Sequence, residues 1–128
     1  MTLDSSALLA ILLSESGSLD LVDQILDADV VRVGTPTLAE TSIVLGSRRG
    51  RPSAREVERL IEELGVTVVP FGAAEWTVAV DAYDRFGRGK HAARLNFGDC
   101  LAYATARTAG DSLLFVGNDF SKTDVPRA

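Results

Sequence analysis

The chain is poor in the residues that build redox and zinc sites. Its 128 residues include one cysteine, Cys100, and one histidine, His91. A single thiol forms no internal disulfide, and one cysteine with one histidine cannot supply the Cys/His cluster that holds zinc. The sequence therefore argues against thiol chemistry and against a zinc site.

Long apolar runs and a basic leader are also missing. No stretch reaches the roughly 18 apolar residues that a membrane span requires. The opening segment, MTLDSSALLAILLSES, carries an acid where a signal peptide would carry basic residues. We therefore expect a cytoplasmic chain without membrane contact. Its length and its 46% hydrophobic content predict one globular domain over residues 1–128, with a real core.

Basic residues are outnumbered, with 13 Lys and Arg against 18 Asp and Glu and a formal net charge of -5. A protein that simply coats nucleic acid needs the opposite excess to neutralise phosphates. Nine basic residues nevertheless lie in two windows: Arg48, Arg49, Arg51, Arg55 and Arg59, then Arg85, Arg88, Lys90 and Arg94. These windows are either solvated helix ends and loops, or basic rims beside an acidic centre.

Short apolar strands alternate with helices along the chain. Strands are predicted at MTL, VVRV, VTVVPF and SLLFV, with helices between them. Ser53 and Glu56 have the spacing of a capping box, and Asn96 can cap the helix that begins in LNFGDCLAYATA. Near-continuous apolar strands separated by helices predict an α/β sandwich, in which helices cover both faces of a mostly parallel sheet.

Four acids are expected at one edge of this sheet. Asp4 ends the first strand, Asp119 follows the last, and Asp99 and Glu40 lie in the first two turns of their helices. Ligands of open α/β sheets bind beyond the carboxyl ends of the strands, where helix N-termini also point. Each acid alone has an ordinary role at a helix end or turn. Together they would repel one another, and a hard divalent cation such as Mg²⁺ or Mn²⁺ would remove that repulsion.

Four blocks of the sequence, taken in order, resemble the PIN-domain ribonucleases, specifically the VapC-type toxins of bacterial toxin-antitoxin pairs. The blocks are MTLDSSALLAIL, PTLAETSIVL, LNFGDCLAYATA and LLFVGNDFSKTDV, and the resemblance spans essentially the whole chain. It implies a PIN-like α/β/α sandwich. It also implies a metal site formed by Asp4, Glu40, Asp99 and Asp119, with Asp4 and Asp99 as the principal ligands. Ser6 is either a residue of the helix start or the counterpart of the family's small hydroxyl beside the metal. The resemblance leaves open whether Asp119 or Asp124 completes the site, or both.

The resemblance further implies the activity and the partners. The chain would be a Mg²⁺-dependent endoribonuclease, with Mn²⁺ as an alternative ion, that hydrolyses RNA phosphodiester bonds. A cognate VapB-type antitoxin and a homodimer are implied as well. The basic residues that could hold flanking RNA backbone are Arg48, Arg49, Arg51, Arg88 and Lys90. The alternative is a catalytically inactive PIN-like module that acts through its antitoxin or RNA contacts.

Other enzyme classes that gather acids at strand ends fit the sequence less well. A haloacid-dehalogenase-type site requires a second acid two residues after Asp4, where Ser6 stands. A receiver domain requires an acceptor aspartate at the end of a central strand, where VTVVPF offers only Phe71. The chain also contains no P-loop and no glycine-rich dinucleotide fingerprint.

Overall fold

The computed structural model describes residues 1–128, in which strands and helices alternate as predicted. The strands are β1 (Thr2–Leu3), β2 (Arg32–Gly34), β3 (Thr67–Val69) and β4 (Leu113–Leu114). The helices are α1 (Ser5–Leu12), α2 (Ser18–Leu26), α3 (Thr35–Arg49), α4 (Ala54–Glu63), α5 (Ala73–Phe86) and α6 (Phe97–Ala109). A short 3₁₀ helix, Phe120–Lys122, follows β4. None of the helices combines the length and the apolar character that crossing a bilayer requires.

The four strands form one parallel sheet in the order β3-β2-β1-β4. Thr2 of β1 lies opposite Arg32 on one side and Leu113 on the other. The chain first builds outwards from β1 to β2 and β3, and then crosses to the other edge to form β4. The direction of the connections therefore reverses between β1 and β4, and ligands bind at such a reversal in open α/β sheets.

Helices cover both faces of the sheet and enclose two apolar cores. One core lies between the sheet and helices α1 to α4 and includes Leu3, Leu8 and Leu45. The other lies against α5 and α6 and includes Tyr103 and Phe115. Consecutive residues of β4 enter different cores, Leu113 the second and Leu114 the first, because side chains alternate across a strand. This arrangement confirms the α/β/α sandwich.

Helix α4 begins where the sequence predicts, but the predicted capping box at its start is wrong. The Ser53 hydroxyl donates to the carbonyl of Arg51 at 3.1 Å and makes no cap bond. The Glu56 carboxylate pairs instead with Arg49 at 3.3 Å and Arg51 at 2.6 Å. The two positive charges attract this carboxylate away from the backbone N–H of Ser53.

Candidate metal centre

Four separate segments bring the predicted acids to one cavity at the carboxyl edge of the sheet. The cavity has a volume of about 270 Å³. Its lining includes Asp4, Glu40, Asp99 and Asp119, together with Ser5, Ser6, Leu9, Glu15, Arg48, Asn96, Val116 and Phe120. As they stand, the acids form no group of three or more already close enough to hold a metal ion. The structure thus places the four carboxylates around one cavity without a preformed coordination cluster.

Asp4 lies at the floor of this cavity, where β1 passes into α1. It is only 2% exposed, and its Oδ2 accepts bonds from the Ser6 hydroxyl and, at 3.0 Å, from the Ser6 N–H. Its Oδ1 is buried without a partner. Burial raises the pKa of Asp4, the Ser6 bonds oppose this rise, and the charge of Asp119 adds to it. A buried carboxylate oxygen without a partner is costly, which favours a cation beside it.

Ser6 has a structural task that the sequence did not reveal. Its Oγ accepts a hydrogen bond from the backbone N–H of Val116 at 3.0 Å while its hydroxyl donates to Asp4. The start of α1 is thereby tied to the segment that follows β4. Ser6 consequently orients the Asp4 carboxylate. It also links the start of α1 to the segment that follows β4.

Asp99 caps its own helix as well as lining the cavity. The Asn96 Oδ1 accepts from the Asp99 N–H at 2.8 Å, and the Asp99 Oδ2 accepts from the Asn96 N–H at 2.8 Å. The predicted Asn96 cap is therefore confirmed, as one half of a reciprocal box. Burial raises the pKa of Asp99 to about 7, the Asn96 bond opposes this rise, and the charges of Asp4, Asp119 and Glu40 add to it.

Glu40 reaches the cavity from the second turn of α3, and it depends on a glycine that sequence reasoning missed. A Cβ at Gly98 would overlap the Glu40 carboxylate. A side chain at residue 98 would therefore force the end of the Glu40 side chain to move out of its present position. Burial raises the pKa of Glu40, and the charge of Asp4 raises it further. The glycine directly before Asp99 in FGD was the available signal.

The two aspartates after β4 have different surroundings. Asp119 lines the cavity and precedes Phe120, whose buried ring packs against Phe115 at 5.1 Å between ring centroids. Asp124 is absent from the cavity lining, so Asp119 and not Asp124 lies with the other three acids. Its carboxylate accepts from the Tyr103 hydroxyl at 2.6 Å and pairs with Arg85 at 2.7 Å. The hydroxyl of the buried Tyr103 needs an acceptor, and Asp124 supplies it.

The five predicted RNA-contacting residues fall in three places. Arg48 lines the acidic cavity and pairs loosely with Glu15 at 3.5 Å. Arg49 and Arg51 lie outside the cavity lining, bound to Glu56. Arg88 and Lys90 belong to the loop between α5 and α6, where Lys90 pairs with Asp84 at 2.6 Å. Only Arg48 among the five therefore borders the carboxylates.

The chemistry of the donor groups fits a hard divalent cation. All four acids offer oxygen ligands, which Mg²⁺ and Mn²⁺ prefer. Three of them, Asp4, Glu40 and Asp99, have pKa values raised by burial and by the charges of other acids in the cavity. A bound cation would satisfy the unpartnered Asp4 oxygen and relieve the repulsion between the carboxylates.

Comparison with known proteins shows the family to which the chain belongs. The model of the PIN domain matches residues 1–126. A ribonuclease VapC of Mycolicibacterium smegmatis is 41% identical over 98% of this chain and 97% of its own. Ribonuclease VapC28 of Mycobacterium tuberculosis is 43% identical over 100% and 97%.

A solved structure shares the fold. Mycobacterium tuberculosis VapC20, described as a toxin that cleaves the sarcin-ricin loop, superposes with a TM-score of 0.75 over 99% of this chain and 97% of its own, at 19% identity. This likeness supports the sandwich seen here, while the identities above 40% define the closer relationship. The chain therefore belongs to the PIN-domain family and, within it, to the VapC ribonucleases.

Proposed function

We propose that this protein is a divalent-metal-dependent endoribonuclease and the toxin of a VapBC-type pair, acting in the cytoplasm as one domain over residues 1–128. One observation carries the proposal. Four carboxylates from four separate segments surround a single cavity, and the most buried of them, Asp4, has an oxygen without a partner. That arrangement costs free energy in an empty cavity and becomes favourable beside a cation.

Asp4 and Asp99 would hold Mg²⁺ or Mn²⁺, with Glu40 and Asp119 completing the acidic wall. When bound, the ion supplies a more acidic water and polarises the scissile phosphate. Ser6 and Asn96 keep the two principal carboxylates in place through the bonds described above. No side chain needs to act as a nucleophile, which agrees with the burial of the single cysteine, Cys100.

Basic side chains next to the cavity would bind the RNA backbone. Arg48 is best placed because it lines the cavity itself. Arg88 and Lys90 lie outside the cavity lining, on the loop that leads to Asn96, and Asn96 itself lines the cavity. We assign smaller contributions to Arg49 and Arg51, because their guanidinium groups are already paired with Glu56.

Two protein partners complete the proposal. The names of the relatives imply a VapB-type antitoxin, and an arginine of that partner would pair with the carboxylates and compete with metal. A second copy of the chain would cover an apolar cavity of about 590 Å³ lined only by hydrophobic residues. Its wall includes the exposed side chains of Trp76, Val80, Tyr83 and Phe97, a patch of the kind that marks protein interfaces.

The test is cleavage of total RNA by the purified protein, with Mg²⁺ and with a chelator, followed by mapping of the cut ends. We expect cleavage with Mg²⁺ only. Asp4→Asn and Asp99→Asn should abolish it while the fold persists, because each removes a ligand charge and also relieves acid-acid repulsion. Asp23→Asn, an exposed acid of α2 outside the cavity, is the matched control and should cleave as the parent does.

Two results would contradict the proposal. Full cleavage by both cavity variants at saturating Mg²⁺ would remove the carboxylates from the reaction. A parent protein that binds RNA or its antitoxin but cuts no RNA would instead be the inactive binding module.

A further inference from the structure

Asp124 uses both of its carboxylate oxygens to join three parts of the molecule. Its Oδ1 accepts from the Tyr103 hydroxyl of α6 at 2.6 Å, and its Oδ2 accepts from the Arg85 guanidinium of α5 at 2.7 Å. Burial and the bond to Asp124 raise the pKa of Tyr103 to about 12, so this hydroxyl remains a donor. We refer to Asp124, Tyr103 and Arg85 as the Asp124 anchor. It fastens the segment after β4 to both helices of the second layer.

The anchored segment is the same one that carries Asp119. The backbone carbonyl of Phe120 accepts from the Thr123 N–H at 3.0 Å and from the Thr123 hydroxyl at 2.8 Å. The Thr123 hydroxyl oxygen in turn accepts from the Val125 N–H at 3.3 Å. Hydrogen bonds therefore connect Phe120, the residue next to Asp119, with Thr123 and Val125, the residues on both sides of Asp124. A displacement at Asp124 would be passed to Asp119 through this turn.

Asp119 needs such support because it is exposed. Asp4 is held by Ser6, and Asp99 is held by Asn96, whereas the placement of Asp119 depends on its backbone. On one side the next residue, Phe120, is buried. On the other side the chain leaves β4 through Gly117, which has a positive φ of 97°, and is exposed from residue 116 to 119.

We propose that the Asp124 anchor positions Asp119 at the acidic cavity and so sets the affinity of the site for a divalent ion. Asp124 is thus a positioning residue rather than a ligand. This inference rests on the proposed metal-dependent function.

The experiment measures Mn²⁺ binding by calorimetry to the RNA-free protein, for the parent and for variants of the anchor. Loss of outer residues that hold metal ligands weakens binding by about 10-fold to 100-fold, and we expect about tenfold for Asp124→Ala. Asp124→Asn keeps an oxygen acceptor for Tyr103 and should bind with intermediate affinity. Tyr103→Phe keeps the packed ring and removes only the hydroxyl donor, so it should weaken binding without unfolding the chain. Asp81→Asn is the matched control, since it breaks only the exposed pair of Arg85 with Asp81 at 3.2 Å.

An Asp119→Asn background separates positioning from general damage. If the anchor acts through Asp119, adding Asp124→Ala to Asp119→Asn should weaken Mn²⁺ binding by less than about twofold, because coupled residues are not additive. An equal loss in both backgrounds would overturn the inference. Parent-like Mn²⁺ affinity in Asp124→Ala, with a parent that binds Mn²⁺ and cleaves RNA, would overturn this inference alone. A parent that neither binds Mn²⁺ nor cleaves RNA would overturn the proposed function and this inference together.

Discussion

At the scale of single residues, Asp99 combines a structural role with a proposed chemical one. Its Oδ2 closes the box with Asn96 at the start of α6, and its carboxylate lines the cavity with three other acids. An aspartate that served only as a helix cap would not need to lie in surroundings that raise its pKa to about 7. The two roles can be separated by substitution, because glutamate is also a good partner in a capping box.

We predict that Asp99→Glu keeps the helix and loses RNA cleavage. The longer side chain can still accept from the Asn96 N–H, so the free energy of unfolding should stay within about 1 kcal/mol of the parent. Its oxygens move by one methylene, more than an Mg²⁺ shell with distances of about 2.0 to 2.1 Å tolerates. Thermal unfolding and cleavage assays check both parts. Asp99→Ser should cost at most about 1 kcal/mol, and a fully active Asp99→Ser would reduce Asp99 to a cap.

The raised pKa of Asp99 predicts how metal-free stability depends on pH. This carboxyl has an ordinary pKa of 3.8 and a folded pKa of about 7, so the folded state binds more protons than the unfolded state between these values. Its contribution to stability is therefore lost as pH rises from about 4 to about 7. In the presence of a chelator, the melting temperature should fall further between pH 5 and pH 8 for the parent than for Asp99→Asn. Each kcal/mol of lost unfolding free energy lowers the melting temperature by about 4 °C. Identical pH profiles would contradict the prediction.

At the scale of secondary structure, the site depends on how closely α6 approaches its neighbours. A Cβ at Gly34 in β2 would come within 2.6 Å of the Thr105 Oγ1 of α6, so the helix lies directly on the sheet. A Cβ at Gly98 would overlap the Glu40 carboxylate of α3. These two glycines let one helix carry Asp99 to the end of β1 while leaving room for the carboxylate from the other layer.

We predict that Gly98→Ala displaces Glu40 and weakens Mg²⁺-dependent cleavage without unfolding the protein. Alanine has the higher helix propensity, by about 0.8 to 1 kcal/mol, and the end of the Glu40 side chain can move away. The melting temperature should therefore hold, while the Mg²⁺ concentration needed for half-maximal cleavage rises several-fold. In a Glu40→Ala background the added methyl group has space, and the effect of Gly98→Ala should disappear. An effect that persists in that background would exclude Glu40 as its cause.

At the scale of the whole molecule, the apolar cavity next to the acidic one has the exposed hydrophobic lining typical of a protein–protein interface. Phe97 is 77% exposed and Trp76 57% exposed, and both line that cavity together with Cys100, the residue after Asp99. Apolar exposure of this kind favours association. A second copy bound here would bring another chain close to the start of α6.

We predict that Trp76→Glu combined with Phe97→Glu yields a folded monomer where the parent is a dimer. A charge placed in a buried apolar contact has no partner to compensate its desolvation. Size-exclusion chromatography with light scattering measures the mass, and circular dichroism verifies the fold. Ile43→Glu is the control, since Ile43 is 72% exposed on a different apolar cavity, between α3 and α4. A monomeric parent, or a variant that still dimerises, would contradict this interface.

The sequence alone determined the alternation of strands and helices, the parallel α/β class and the edge where the acids meet. These features follow from local patterns, because apolar strands, helix periodicity and the Asn96 cap depend on neighbouring residues. The edge then follows from the rule that parallel strands share a direction. Asp4 and Asp99 were therefore predictable as cavity residues.

Only the tertiary structure decided the remaining details of the site. Asp119 and Asp124 are both aspartates in one turn-rich segment, and nothing local distinguishes them. They separate because Tyr103 and Arg85, distant in sequence, offer donors to Asp124 alone. Glu56 likewise pairs with Arg49 and Arg51 and not with Ser53, and here the turn between α3 and α4 brings the partners together. Side chains choose partners by distance and charge in space, and those distances exist only once α5, α6 and the final segment have packed together.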